Sequence, residues 1–345
     1  MKTKMAVLYS CSQPLIIEEL ETPALQSGQV LVRVLFSGIC GSQLSEVEGR
    51  LGPDRFIPHT LGHEGSGIVV DIGEGVTKVK IGDHVIISWI KGSGLNSLTP
   101  YYHNGKQKIN AGFANTFTEY SIVSENRLVA IHKEMPLDKA SILGCAVATG
   151  FGAVINEAKV NAGSNVLVSG TGGIALSVIQ AASLAGISKL IVLGRNNTKL
   201  EIARYFGATD VFNLLDNDVV SKVKKVTDKN GVDYAFEVTG ARFSMELAYK
   251  CTRNDNGKVV LIGIPKYREK ISINIMDLFK GKVIMGTSGG RTNPDTDFPR
   301  YVELYLSGKL KLDQMITHRF KLHEINNALK LLKKGGELGR AILEL

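Results

Sequence analysis

The sequence predicts an α/β protein in two parts: a β-rich, barrel-like region to about residue 145, then a doubly wound parallel sheet from about 150. Three observations carry this. Glycine is abundant and proline scarce, 37 and 9 among 345 residues, which suits tight strand–helix turns and excludes a disordered or collagen-like chain. Short apolar runs bounded by Gly, Asp or Ser-Gly crowd the first part. Almost wholly apolar strands alternate with helix-like segments in the second, the pattern of a parallel sheet covered on both faces.

Taken in order, Val30–Leu35, Gly67–Ile72 and His84–Ile87 are β-branched runs between turn residues and read as antiparallel strands. Residues 89–116 lack periodicity and carry Gly92, Gly94, Gly105 and Gly112, so a long loop is expected. A helix over Ile155–Val160 leads to the apolar strand Asn165–Val168, a glycine turn and the helix Ile174–Ala185. Strands at Lys189–Leu193, Val211–Phe212, Tyr234–Val238 and Lys258–Ile262 then alternate with helices at Lys199–Phe206, Asp218–Lys225 and Ser244–Cys251. Lys282–Met285 reads as a further strand at the sheet edge. The tail reads as helix Pro299–Leu306, strand Ile316–Phe320, helix Ile325–Lys333 and strand Arg340–Leu345.

The length suggests about two domains. Lys+Arg is 41 and Asp+Glu 33, a net charge of +8. The densest basic clusters, Lys222, Lys224, Lys225 and Lys330, Lys333, Lys334, lie at helical spacing and read as solvated faces. No nucleic-acid or membrane partner is therefore expected. Mean hydropathy is +0.06, yet no run of about 18 apolar residues occurs, and the N-terminal apolar stretch is too short for a secretory signal. A cytosolic protein is expected. Cys11, Cys40, Cys145 and Cys251 are far apart with no CxxC pair, so neither a disulfide framework nor a Cys-rich zinc finger is encoded.

Gly170-Thr171-Gly172-Gly173-Ile174-Ala175 follows an apolar strand and opens a helix, reading as GxGxxA. The first glycine makes the turn, the second lets backbone approach a pyrophosphate, and the small third residue lets helix and strand pack. At the end of the next strand an acid would bond the ribose 2′-hydroxyl of NAD. Here stand Gly194, Arg195 and Asn196, with Lys199 downstream. Gly194 removes the repelling carboxylate, and Arg195 can clamp a 2′-phosphate bidentately. NADP is expected; NAD, with Arg195 a mere surface residue, is the alternative.

Two thiolates and an imidazole, Cys40, His63 and Cys145, can form a three-ligand catalytic zinc set with a fourth position open. Taken singly, each cysteine reads equally as a small buried apolar residue and the histidine as a satisfied turn residue. Their contexts change that. Gly62-His63-Glu64-x-x-Gly67, with Gly73 and Val76 beyond, resembles the full signature of the zinc-containing alcohol dehydrogenases of the medium-chain dehydrogenase/reductase superfamily. Cys40-Gly-Ser upstream, Gly-Cys145 downstream, the glycine turn and the terminal Leu338-Gly339-Arg340-Ala341 fall in the family's order, so the resemblance covers essentially the whole chain.

The resemblance implies a GroES-like catalytic domain over 1–148 and 288–345, interrupted by a Rossmann domain over 149–287. It implies Cys40, His63 and Cys145 as zinc ligands and Glu64 as the carboxylate that approaches the metal during ligand exchange. Ser42 relays the substrate proton, and Trp89 walls the substrate pocket. Thr149 faces the nicotinamide, Ile174 lies behind its ring, and Arg340 bonds the pyrophosphate. The implied reaction passes a hydride between an alcohol and the nicotinamide, or back to a ketone or aldehyde. A homodimer or homotetramer is expected, paired through the edge run Val283-Ile284-Met285.

Three departures stand out. The 89–116 segment has no cysteine, so one catalytic zinc and no structural zinc is expected. Gln43 stands where the family usually has an aspartate that orients a ligand, and Ser45 near where some members end the relay with histidine. An NAD-linked polyol or sugar-derivative dehydrogenase is the near alternative. The glutathione-linked formaldehyde dehydrogenases are also relatives, of which this chain without a cysteine lobe would be an atypical member. Zinc-free quinone or enoyl reductases lack the Cys/His trio, and the trio with Ser42 disfavours a non-enzymatic NADPH-binding protein.

Overall fold

The computed structural model describes residues 1–105, 107–336 and 339–345; Leu338 of the terminal resemblance and Lys106 of the expected loop lie outside them. The chain divides into two compact units, Met1–Cys145 with Asn293–Leu345, and Ala146–Thr292.

In the first unit, Lys2–Leu8, Ile16–Glu21, Tyr101–His103, Lys108–Asn110 and His59–Thr60 close into a barrel. A second sheet runs Leu128–Ala130, His84–Ser88, Glu64–Ile72, Gln29–Ile39, Arg340–Glu344, Ile316–Lys321, with Tyr120–Ser124 also paired to Gln29–Ile39. The pairing is antiparallel except where Ile316–Lys321 meets Arg340–Glu344 and His59 meets Asn110. Val30, Val32 and Val34 alternate inward and pack on Val69, Val85, Ile87 and Val123. Each such side chain contributes about 1.5–3 kcal/mol on full burial. Ile39, Leu61 and Phe117 form another core with Ile325, Leu329 and Leu343, which fastens the C-terminal segment into this unit.

The 89–116 segment is not wholly loop. Tyr101–His103 and Lys108–Asn110 form a hairpin of the barrel, with Tyr102 and Ile109 fully buried beside Met5 and Leu20. Three-residue strands present one inward side chain each, so no period of two is visible in sequence. Where the cysteine lobe is missing, carboxylates hold the backbone. Glu125 accepts from the N–H groups of Thr77, Lys78 and Leu95 at 2.6, 2.5 and 2.7 Å. Asp295 accepts from Ser93 N–H at 2.6 Å and pairs with Lys78 at 2.5 Å.

In the second unit all six strands are parallel, in the order Asp210–Asn213, Lys189–Gly194, Asn165–Ser169, Tyr234–Glu237, Lys258–Leu261, Val283–Gly286. Numbered along the chain this is 3-2-1-4-5-6, the order of dinucleotide-binding sheets. Val283–Gly286 is one of the two outer strands, and the preceding residues Ile275, Met276 and Phe279 are exposed at 64%, 57% and 82%. Two helices differ from expectation. The run expected from Ile155 already begins at Leu137 and ends at Ala158, closed by Lys159 at φ 53°. It is long and apolar enough to cross a membrane, but 83% of its apolar window is buried inside the protein, as in a core helix. The helix expected from Pro299 starts at Pro294, where the Asn293 side chain caps Asp295 N–H at 3.1 Å. Proline fits the first helical turn, and the earlier of the two prolines marks it.

Candidate metal centre and dinucleotide turn

The metal-centre residues sit where three elements of the first unit meet. The strand Gln29–Ile39 ends at Ile39, and Cys40 caps the helix Gly41–Val47. His63 immediately precedes the strand Glu64–Ile72. Cys145 lies in Leu143–Val147, a stretch of wide, π-helical turns, which are frequent at functional sites. The ligand atoms of Cys40, His63 and Cys145 all lie within 4.8 Å of one another. His63 Nε2 is buried without a hydrogen-bond partner, and both thiols are buried. Two soft sulfurs and a vacant imidazole nitrogen suit a tetrahedral zinc with a free fourth position, so these residues fit the ion the resemblance implies.

Charge is arranged around that triad. The Cys145 thiol hydrogen-bonds the Cys40 sulfur and holds Cys40 well below the usual thiol range, against burial and with help from Arg340. The same bond and burial push Cys145 well up. Burial pulls His63 down, but the neighbouring charges of Cys40 and Glu64 outweigh it, and the imidazole is raised.

Glu64 is not in the triad; its fully buried carboxylate is ion-paired with Arg340, 5% exposed. Burial lowers the guanidinium, but Glu64, Cys40 and Cys145 outweigh it and raise it. Sheet register places the arginine, since Ala341 lies opposite Ile39 and Arg340 therefore falls beside Cys40. The pair was not visible in sequence, being 276 positions apart. Gly38 and Gly144 were also missed as site residues. A Cβ at Gly38 would meet the Glu64 carboxylate oxygen at 2.3 Å, and one at Gly144 would meet Glu64 Cβ at 3.3 Å. Ser37 Oγ and Thr116 Oγ1 hold the Glu64 carbonyl at 3.0 and 2.9 Å.

Ser42 Oγ is buried without a partner in the first turn of the helix that Cys40 caps. Gln43 accepts from Cys40 N–H at 2.6 Å, and its buried Nε2 has no partner. It therefore braces a ligand's backbone, and an aspartate's charge is missing. Trp89 N–H donates to the His63 carbonyl at 2.9 Å, which sets the tryptophan beside the triad with its Nε1 unpartnered.

In the second unit the turn Gly170–Gly172 leaves the first strand at the point where strand order reverses. Ligands bind there, at the carboxyl ends of the strands. Gly170 has φ 130° and its Cβ would meet Val238 Cγ2 at 2.5 Å, so only glycine fits. A Cβ at Gly172 would meet nothing, leaving the N-terminus of the helix Gly173–Leu184 open to an anion. Ala175 is fully buried and Ile174 partly so. Thr149 is 5% exposed and its Oγ1 has no partner.

At the end of the second strand, Arg195 and Asn196 are exposed. Asn196 Oδ1 accepts from Lys199 N–H at 3.2 Å and caps the helix Asn197–Tyr205, while Lys199 is 7% exposed. Of the three donors only Arg195 is therefore both exposed and uncommitted to the cap. Gly194 has a packing reason of its own, because a Cβ there would meet Thr171 Cγ2 at 2.7 Å.

Residues 26–133 match the family described as alcohol dehydrogenase GroES-like domain, and residues 173–307 the zinc-binding dehydrogenase family. The chain is 35% identical to alcohol dehydrogenase class-3 of Zea mays, over 99% of this chain and 96% of that one. It is 34% identical to S-(hydroxymethyl)glutathione dehydrogenase of Synechocystis, over 99% and 100%. Among solved structures it is similar to benzyl alcohol dehydrogenase from Acinetobacter calcoaceticus, with TM-score 0.90, 30% identity and coverage of 100% and 99%.

Proposed function

Because the chain belongs to the zinc-containing alcohol dehydrogenase family, oxidoreductases acting on CH–OH groups, we propose that it interconverts an alcohol and its ketone or aldehyde with NADP(H) and one catalytic zinc per chain. The observation that carries this reading is the Cys40, His63 and Cys145 triad with its unpartnered Nε2. When bound, zinc supplies a Lewis acid for the substrate oxygen, and the nicotinamide supplies the hydride-transfer partner.

Cys40, His63 and Cys145 would hold the ion, and Glu64, held by Arg340, would approach it during ligand exchange. Ser42 takes the proton of the substrate hydroxyl, and Trp89 gives the pocket an apolar wall. The turn with Gly170, Gly172 and Gly173 receives the pyrophosphate at a helix N-terminus, Ala175 lets that helix pack on its strand, and Ile174 lies behind the nicotinamide ring. Thr149 offers its free hydroxyl to the nicotinamide side. Arg340 holds the Glu64 carboxylate in place. The test of the reaction is alcohol-dependent reduction of the dinucleotide across primary and secondary alcohols, polyols and S-(hydroxymethyl)glutathione, the last because a relative bears that name.

NADP preference rests on Arg195, an exposed guanidinium at the end of the second strand with no acid beside it. Charge-assisted contacts contribute about 1.5–3 kcal/mol each. One or two of them give roughly a tenfold to thousandfold preference for NADP, at about 1.4 kcal/mol per tenfold. Arg195→Ala should collapse that ratio by weakening NADP while NAD is unchanged, as competition binding of the two dinucleotides would read. A wild type that binds NAD better would overturn the assignment.

A homodimer, or a dimer of dimers, is proposed through the outer strand Val283–Gly286, whose open edge is an association hazard unless covered. The exposed Ile275, Met276 and Phe279 just before it support this. Sedimentation at micromolar concentration should show no monomer, and placing a charge at Met285 should shift the chain towards one.

A further inference from the structure

We infer that Glu46, Asp54 and His59 form a second metal site, separate from the Cys40, His63 and Cys145 triad, which takes a divalent cation of the Mn2+ type and ties residues 48–58 to the barrel. It shares no residue with the triad, and the inference does not depend on the dehydrogenase reading.

A carboxylate oxygen each from Glu46 and Asp54 and a ring nitrogen of His59 all lie within 4.8 Å of one another, the same closeness that marks the triad. The three come from different elements. Glu46 is in the last turn of the helix Gly41–Val47, His59 is on the barrel strand His59–Thr60, and Asp54 is in the segment between them. Two of the three donors are fixed by the fold itself. His59 lies in a strand that pairs with Leu8 and Asn110. Asp54 Oδ1 accepts from Phe56 N–H at 2.8 Å, which fixes the carboxylate with Oδ2 facing His59.

The contacts of His59 point to a cation. Its Nδ1 lies 2.9 Å from the Thr60 carbonyl, which can only accept, so Nδ1 carries a hydrogen. In the neutral ring Nε2 is then a lone pair, and it lies 2.8 Å from Asp54 Oδ2, a second acceptor. Metal-ligating histidines have this arrangement, with one ring nitrogen donating to a carbonyl and the other free to ligate. A proton on Nε2 would satisfy Asp54 and nothing more. Glu46 would remain, since among the described residues its carboxylate has no hydrogen bond and no ion pair. Burial and the charge of Asp54 raise that carboxyl, against the charges of His59 and His63. One divalent ion satisfies all three groups. The His59 and Asp54 side chains are only 8% and 13% exposed, so its attraction is weakly screened. Two carboxylates and an imidazole, with no thiolate, suit Mn2+ with water in the remaining positions, whereas stoichiometric zinc goes to the sulfurs of the triad.

The test adds Mn2+ to protein already holding stoichiometric zinc and follows binding by electron paramagnetic resonance. One Mn2+ per chain should bind, with a single imidazole nitrogen coupled to it, and the midpoint of thermal unfolding should rise. Glu46→Gln and Asp54→Asn keep side-chain shape and remove a charge. Each should weaken Mn2+ binding at least about tenfold without lowering zinc content, and His59→Gln should remove the nitrogen coupling. No Mn2+ bound at millimolar concentration overturns the site and leaves His59 and Asp54 as a simple protonated pair. Binding unaltered in both carboxylate variants, or an ion with no nitrogen coupled to it, overturns it as well. If one variant does not fold, the other and the nitrogen coupling of the wild type decide. Failure of the dehydrogenase reading would show as no turnover of any alcohol or carbonyl, which none of these readouts measures.

Discussion

Cys145→Ala is expected to abolish zinc binding and alcohol oxidation together. The substitution removes one of two sulfurs from the 4.8 Å cluster and leaves Cys40 and His63 as an incomplete pair. Lewis-acid stabilisation of developing charge is worth several kcal/mol, so the loss of rate should be about a thousandfold or more at ~1.4 kcal/mol per tenfold. The dinucleotide turn lies in the other compact unit, and none of its glycines depends on Cys145. Dinucleotide affinity should therefore survive. Elemental analysis, a rate assay and a binding titration on the same preparation check the three parts. A variant that keeps both stoichiometric zinc and activity would show that Cys145 is only a buried small side chain.

Ser42→Ala is expected to lower kcat by about 100- to 10,000-fold, the range for a positioned proton-transfer group, while dinucleotide affinity stays put. The structure makes this substitution unusually clean. Ser42 Oγ has no hydrogen-bond partner, so its removal breaks no contact on which folding depends, and thermal unfolding should be unchanged. The effect must be measured where hydride transfer limits the rate, which a deuterated alcohol establishes. Unchanged turnover under that condition would assign the proton to water.

Much of the fold was legible because it obeys simple periodicities. The parallel sheet appears as apolar runs such as Lys189–Leu193, and the glycine turn stands between a strand and a helix as its chemistry requires. The errors share a cause, since each concerns an element whose order comes from its neighbours. Leu137–Ala158 is buried on most sides and shows no polar face, so its N-terminal half gave no helical period. Tyr101–His103 and Lys108–Asn110 are ordered by barrel pairing and one buried residue each.

The site divides in the same way. The three residues of the metal cluster were legible because each carries its own local motif, and the fold brings them together. The Arg340–Glu64 pair was not, because only the register of Arg340–Glu344 on Gln29–Ile39 creates it. The sequence shows the missing charge at Gly194, whereas only the fold shows that Thr171 and Leu200 would already exclude a Cβ there. Gly194→Asp is thus a packing change as well as a charge change, and Arg195→Ala is the cleaner probe of cofactor choice.

The most direct test of the central claim is to titrate zinc back into chelator-stripped protein while following alcohol-dependent reduction of NADP. The account predicts no activity at zero zinc and a linear rise that saturates at about one zinc per chain. Activity without zinc, or saturation only at two, would contradict it.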